Sequence, residues 1–233
     1  MKSTKNTGRL IGILLLLQLA AGLTVPFILL RPLVAGSPGF LTAAAENSFQ
    51  IRLAVLLSFV GSALTLSLGI TMLPALRRYS HAAALWFLAV CVISCTLDAV
   101  HSATVMSMLA LSRDYVSAGA AADSALYHLV GAAVASARRS AHAVQLVGIG
   151  AWIFVFYGSL LRFAIIPRAL AALGLVGIVL QFTGVTLMMF LGYSIIGELA
   201  MPMLPVQIAV AGWLIVKGFN EQHPEVTPEP GFE

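Results

Sequence analysis

Several polar side chains fall inside the long apolar runs of this sequence, where each one must find a hydrogen-bonding partner or serve a purpose. Asp98 and His101 lie three residues apart in one run, and Ser94 comes one helical turn earlier, so a helix places all three on one face. His142 and Gln145, also three residues apart, begin a later run. An ionisable side chain in hydrocarbon costs about 2.5–3.5 kcal/mol on insertion scales. These two groups therefore form the candidate site.

A carboxylate near two imidazoles allows three interpretations. In the first, Asp98 accepts hydrogen bonds from His101, His142 or an amide, and the polar groups only hold helices together. In the second, they line an outward-facing cavity that binds or senses a lipid head group or small amphiphile, or relays protons. In the third, the same three residues ligate zinc in a membrane-embedded lipid hydrolase. The sequence has no His-x-x-x-His or His-Glu-x-x-His spacing, so binding is the favoured functional interpretation and no catalytic residue is assigned.

Two glutamines in later apolar runs extend the candidate ligand-binding set. Counted along a helix, Gln181 lies at a depth similar to that of Asp98, and Gln207 lies near the middle of its run. Gly174, Gly177 and Gly184 share one helix face with Gln181, because they are spaced at i, i+3 and i+10. Small residues on one face favour close contact with a neighbouring helix or with a second protomer. Homo-oligomerisation is therefore one expectation.

The elements that must position these residues are membrane helices. Of the 233 residues, 60% are apolar and 9% are charged, whereas soluble domains are about 25% charged. A span needs about 20 predominantly apolar residues, and six stretches qualify: Arg9–Leu33, Arg52–Leu76, Ala82–Leu111, Ala141–Leu161, Arg168–Leu191 and Leu199–Val216. The sequence predicts an all-α bundle of six transmembrane helices over residues 1–219. Residues 220–233, rich in proline and glutamate, are predicted to form a flexible cytoplasmic tail.

The basic residues indicate how the bundle is oriented. Of the thirteen Lys and Arg residues, eight fall on the side that holds the N-terminus and five on the other side. This bias favours an N-in, C-in topology in a bacterial cytoplasmic membrane. The cations lie beside apolar runs and form no single basic face, which argues against nucleic acid as a partner and leaves membrane lipids as the expected one.

Local signals predict where the helices are interrupted. Pro26 removes a backbone donor and should kink the first helix. Pro202 and Pro205 should make the entry to the last span irregular. Asp123 or Ser124 is suited to cap a short outer helix that precedes the fourth span.

Short phrases along the chain also resemble a known family. They are GRLIGIL at 8–14, LRR at 76–78, AH at 141–142, PRAL at 167–170 and GWLIVKG at 212–218. Their order and spacing resemble the bacterial membrane family catalogued as domain of unknown function 4386, over nearly the whole chain up to Phe219. The resemblance implies a six-helix inner-membrane protein and no particular activity. Family members often carry acidic residues at the positions of Ser140 and Gln207, so a role that needs both carboxylates does not transfer to this chain.

Overall fold

The described part of the chain comprises residues 2–34, 38–119, 123–193 and 195–220 of a computed structural model. Within it the chain is helical: α1 (Lys2–Thr24), α2 (Arg31–Val34), α3 (Phe40–Glu46), α4 (Ser48–Arg77), α5 (His81–Ala118), α6 (Ser124–Arg162), α7 (Arg168–Leu191), α8 (Ile196–Ala200) and α9 (Met203–Val216). Six segments are long and apolar enough to cross a membrane: Lys5–Leu29, Ser48–Arg77, His81–Ala118, Ser124–Arg162, Arg168–Leu191 and Gly197–Val216. The predicted all-α bundle of six spans is confirmed, and the chain is a multi-pass integral membrane protein.

The six spans pack as a closed ring. Each span contacts the next one in the order α1, α4, α5, α6, α7 and α9, and α9 returns to contact α1. Glycine makes this closure possible, because a Cβ atom at Gly12 would lie 2.6 Å from the Ala211 carbonyl oxygen. Arg9 Nε also donates to the Ile215 carbonyl oxygen at 3.2 Å. The N-terminal part of α1 and the C-terminal part of α9 therefore meet on the same side of the bundle.

The two sides of the bundle differ in their connections. We call the side with the tight turns α4–α5 and α6–α7 the turn side, and the opposite side, with α2 and α3, the loop side. α5 has 38 residues and α6 has 39, so each is about 57 Å long. The hydrocarbon core is about 30 Å thick. Because the tight turns fix one end of both helices, they extend well beyond the bilayer on the loop side.

The predicted cap before the fourth span is confirmed, but the helix that it begins is longer than expected. The Asp123 carboxylate accepts from Leu126 N at 3.1 Å. From there α6 runs without a break to Arg162. The short outer helix expected before the fourth span is thus the first part of α6, because no proline interrupts residues 124–162.

The chain departs from a regular α-helix at Pro26 and at Pro202, whereas Pro205 lies inside α9. Residues Val25–Leu29, which include Pro26, form a π-helical segment, and the Gln50 side chain donates to the carbonyl oxygens of Ile28 at 3.0 Å and Leu29 at 3.1 Å. Pro202 lies in the turn that separates α8 from α9. Gln50 thus supplies a donor to two carbonyl oxygens at the end of the π-helical segment, which favours an irregular helix at this depth because protein groups satisfy its backbone.

The glycine face of α7 meets neighbouring helices of the same chain. A Cβ atom at Gly174 would lie 2.2 Å from the ring of Tyr157 on α6, and one at Gly177 would lie 2.9 Å from Met203 Sδ on α9. The close helix contacts expected from this face are thus made within the protomer. At the end of the described chain, the backbone N–H of Asn220 donates to the Ile165 carbonyl oxygen at 2.8 Å. The rest of the predicted flexible tail, 221–233, lies outside the described residues.

Candidate functional site

A polar layer separates two buried apolar clusters. We call the buried apolar cluster nearer the tight turns the turn-side cluster, and the one nearer α2 and α3 the loop-side cluster. Each contains residues from several helices. On α5 the turn-side cluster ends at Cys91 and the loop-side cluster begins at Val105, and Ser94, Asp98 and His101 lie between them. The same order recurs along α4 and α6. The candidate residues therefore share one level of the bundle.

A chain of hydrogen bonds joins three spans at this level. Ser62 Oγ on α4 donates to Asp98 Oδ2 at 2.6 Å, and Gln145 Nε2 on α6 donates to Asp98 Oδ1. Gln145 Oε1 lies 3.0 Å from His142 Nδ1. Because an amide oxygen can only accept, His142 carries a proton on Nδ1, which leaves Nε2 of the neutral ring as an acceptor. The opposite amide orientation would turn an oxygen toward the carboxylate, so the network fixes the orientation of Gln145.

The rings of His101 on α5 and His142 on α6 lie close together. Their ring centroids are 5.0 Å apart and the ring planes are tilted by 40°. His101 is only 4% exposed, and its Nε2 atom has no hydrogen-bond partner among the described residues. The sequence allowed Asp98 to accept from His101, from His142 or from an amide, and the structure selects the amide of Gln145.

Close contact between α5 and α6 keeps these groups together. A Cβ atom at Gly148 would lie 2.8 Å from Leu97 Cδ1 and 3.3 Å from Ser94 Cα. A larger residue at Gly148 would require Leu97 and the backbone at Ser94 to shift, one turn from Gln145.

The polar layer lines a cavity of about 390 Å³ between α1, α4, α5 and α6. This volume is within the range of about 300–1,000 Å³ that is typical of small-molecule sites. Five of the seven predicted ligand-binding residues line it: Ser94, Asp98, His101, His142 and Gln145. Its walls are mostly apolar and include Ala21, Val25, Leu57, Leu146 and Ile149. The arrangement offers a polar patch within an apolar enclosure.

The other two predicted residues lie elsewhere. Gln181 is on α7 and Gln207 is on α9, and neither is among the residues that line the cavity. Helix α7 packs against α6, α8 and α9, and α9 packs against α1 and α7. Depth along a helix therefore does not bring these glutamines to the candidate site, because their helices occupy the other part of the ring.

Most of the other residues that line the cavity were not in the predicted set. Among them are the polar residues Gln18 on α1, Ser62 on α4 and Arg138 on α6. Arg138 precedes His142 by four residues and so shares its helix face, which is a signal the sequence did contain. Ser62 had no such signal, because several spans carry isolated serines and only packing selects one of them.

The zinc interpretation gains no support from this geometry. Among the described residues, no group of three His, Cys, Asp or Glu side chains is placed so that it could hold a metal ion. The two oxygens of Asp98 are instead bonded to Ser62 and Gln145.

A family model described as "Domain of unknown function (DUF4386)" matches residues 10–218. The chain belongs to this family. No curated protein and no solved structure matches the chain. Membership in DUF4386 confirms the resemblance seen in the sequence, and because the family's description assigns no activity, the function must be argued from the cavity.

Proposed function

We propose that this protein binds or senses a lipid or small amphiphile in the cavity between α1, α4, α5 and α6. The observation that carries the proposal is the combination of a mostly apolar wall with a polar layer built from three spans. An amphiphile matches both parts, because its chain contacts the wall and its polar group bonds to the layer.

Unpartnered polar atoms support this proposal. Gln18 Oε1, His101 Nε2 and Arg138 Nε are buried and have no hydrogen-bond partner among the described residues. All three side chains line the same cavity. Buried polar atoms are nearly always paired, with protein, water or ligand. A bound polar group or the water that it displaces would supply the missing partners.

The proposed location is a bacterial cytoplasmic membrane, with the turn side in the cytoplasm and the cavity in the outer half of the bilayer. Asp98 is seventeen residues from His81 at the start of α5, which is about 25 Å along the helix. The excess of Lys and Arg on the turn side supports this orientation. A C-terminal reporter that fluoresces only in the cytoplasm tests it, and a dark but intact fusion would contradict it.

The chain contains its own probe of cavity occupancy. Cys95 lines the cavity, whereas Cys91 is fully buried in the turn-side cluster. In lipid nanodiscs, N-ethylmaleimide should modify Cys95 in a Cys91→Ala variant and should leave Cys91 unmodified in a Cys95→Ala variant. A twelve-carbon amphiphile present at ten times its dissociation constant should slow the modification of Cys95 about tenfold. Equal rates with and without neutral, anionic and cationic chains would overturn the proposal.

A structural role is the second candidate, and the hydrogen-bond chain from Ser62 to His142 favours it because it ties α4, α5 and α6 together. The two roles are separated by Asp98→Asn. If the network only holds helices together, this substitution lowers stability and leaves the protection of Cys95 by amphiphiles unchanged. If the layer binds ligand, the concentration needed for protection changes as well.

A further inference from the structure

We infer that the ligand is an anionic single-chain amphiphile, and that Arg138 and His101 bind its carboxylate or phosphate at the loop-side end of the cavity. The inference rests on the proposed function and adds the charge and the position of the polar group. Three observations carry it: a buried, unpaired Nε atom on Arg138, a buried, unpaired Nε2 atom on His101 and a gradient of charge along the cavity.

The Arg138 guanidinium has no anionic partner in the described part of the chain. Its Nε atom is buried and has no hydrogen-bond partner among the described residues. Its electrostatic neighbours are the Arg139 guanidinium and the imidazoles of His101 and His142. Arginine stays charged under all ordinary conditions. Arg138 is partly buried, and a partly desolvated charge without an anionic partner is unfavourable. An anion at this position would remove that cost, since the planar guanidinium binds carboxylate and phosphate through two parallel hydrogen bonds.

His101 supplies a second donor to the same end. It is 4% exposed, it lines the cavity, and its Nε2 atom has no partner within the described chain. The Nδ1 atom of His142 is already paired with Gln145 Oε1, whereas Nε2 of His101 is unpaired and donates to an anion when the neutral ring carries its proton there. Arg138 and His142 are one turn apart on α6, and the His101 ring lies 5.0 Å from the His142 ring. Arg138 and His101 thus approach the cavity from two different helices.

The charges are ordered along the cavity. On α6 the order from the loop side is Arg138, His142, Gln145, and the first and last are about 10 Å apart along the helix. Asp98 lies at the level of Gln145, and both of its oxygens accept from neutral donors. An anionic head group is therefore attracted to the loop-side end and away from Asp98. A cationic head group at the same end would be repelled by Arg138, so the cavity should discriminate against cationic ligands.

The size of the cavity favours one apolar chain. About 390 Å³ is near the lower end of the range of about 300–1,000 Å³ for small-molecule sites. The apolar residues Ala21, Val25, Leu57 and Leu146 come from three helices and a π-helical segment and surround the same space. A single chain that extends from Arg138 toward the middle of the bilayer would contact them.

The test uses the full chain with Cys91→Ala in phosphatidylcholine nanodiscs and follows the protection of Cys95. The probes are dodecanoate, dodecyl phosphate, dodecyltrimethylammonium, monododecyl glycerol and inorganic phosphate. We expect at least one of the two anionic chains to protect at about one tenth of the concentration that the cationic and neutral chains need, a preference of about 1.4 kcal/mol. Whichever anionic chain protects better identifies carboxylate or phosphate as the bound group. Protection by inorganic phosphate as strong as that by dodecyl phosphate would overturn the single-chain assignment.

Matched variants assign the preference to Arg138. Arg138→Gln should abolish the preference for anionic chains, and Arg138→Lys should retain part of it. Arg139→Gln is the control, because Arg139 is adjacent and positively charged but exposed and not part of the cavity lining. The folding of Arg138→Gln is judged without probes, from its elution in size-exclusion chromatography and its thermal melting. If this variant does not fold, the comparison of Arg138→Lys with Arg139→Gln still tests whether Arg138 causes the preference for anionic chains. If Arg138→Lys and Arg139→Gln lose the preference for anionic chains to the same extent, the assignment to Arg138 is wrong.

The outcome also separates this inference from the proposed function. If the neutral and cationic chains protect Cys95 as well as the anionic ones do, the cavity binds amphiphiles and the assignment to an anion is wrong. If no chain protects Cys95, the proposed function fails and the inference fails with it.

Discussion

Gln145 is the residue on which the polar network depends most, and its replacement by leucine should lower stability measurably. The amide donates to Asp98 and accepts from His142, so Gln145→Leu keeps most of the volume and removes both bonds. A hydrogen bond between membrane helices contributes about 0.6 kcal/mol on average, but a buried charged group left without its partner costs about 1–3 kcal/mol or more. Because water in the cavity can replace part of the loss, we expect a decrease of about 2 kcal/mol in the free energy of unfolding.

The assay is equilibrium unfolding in mixed micelles with increasing SDS, with Gln181→Leu as the control. Gln181 is the same residue type in another span, outside both the cavity and the network. Its replacement should change stability by less than about 0.5 kcal/mol. In an Asp98→Asn background the cost of Gln145→Leu should fall to about 1 kcal/mol, because a neutral acceptor loses less than a carboxylate does. If Gln145→Leu costs no more than Gln181→Leu, or costs the same in both backgrounds, the network as described is wrong.

Two further substitutions test the packing that positions the site. Gly174→Ala should destabilise by about 1–3 kcal/mol, because the new Cβ would lie 2.2 Å from the Tyr157 ring. The control Gly158→Ala, with no atom within 4 Å, should be neutral or stabilising by up to about 1 kcal/mol in the same SDS titration. Gln50→Ala should cost about 1–2 kcal/mol and speed amide hydrogen exchange in the π-helical segment, since the Gln50 side chain bonds to two carbonyl oxygens there. Unchanged exchange in that segment would show that Gln50 does not hold it.

The topology could be predicted from the sequence because the bilayer imposes a length and a composition on every span. The ends of the long helices could not be predicted in the same way. The third span was expected to end at Leu111, and α5 continues to Ala118. The fourth was expected to begin at Ala141, and α6 begins at Ser124. A helix satisfies its backbone in water as well as in lipid, so hydropathy marks only the part inside the bilayer.

The candidate site could be predicted only where its residues share one helix. The pairs Asp98 with His101 and His142 with Gln145 follow from a spacing of three residues. Contacts between helices depend on which spans are neighbours, and a single sequence does not give that order. For this reason Gln181 was placed with the site by its depth although α7 lies elsewhere in the ring.

Arg138 was missed for a different reason. Counting charges assigns every arginine near the end of an apolar run to a loop, and Arg138 precedes the run that begins at Ala141. In the structure α6 is already helical there, and the side chain is directed to the cavity that it lines. A rule based on polarity alone could not distinguish it from Arg139, which is exposed.

The convergence of α5 and α6 is tested most directly by solid-state NMR on the protein in lipid, with ¹³C and ¹⁵N labels in its five histidines. The structure places the rings of His101 and His142 5.0 Å apart, so a cross-peak between two different imidazoles should appear. It should disappear in His101→Gln and in His142→Gln and persist in His81→Gln. No such cross-peak in a folded sample, or one that survives both substitutions, would show that these polar groups do not meet in one cavity.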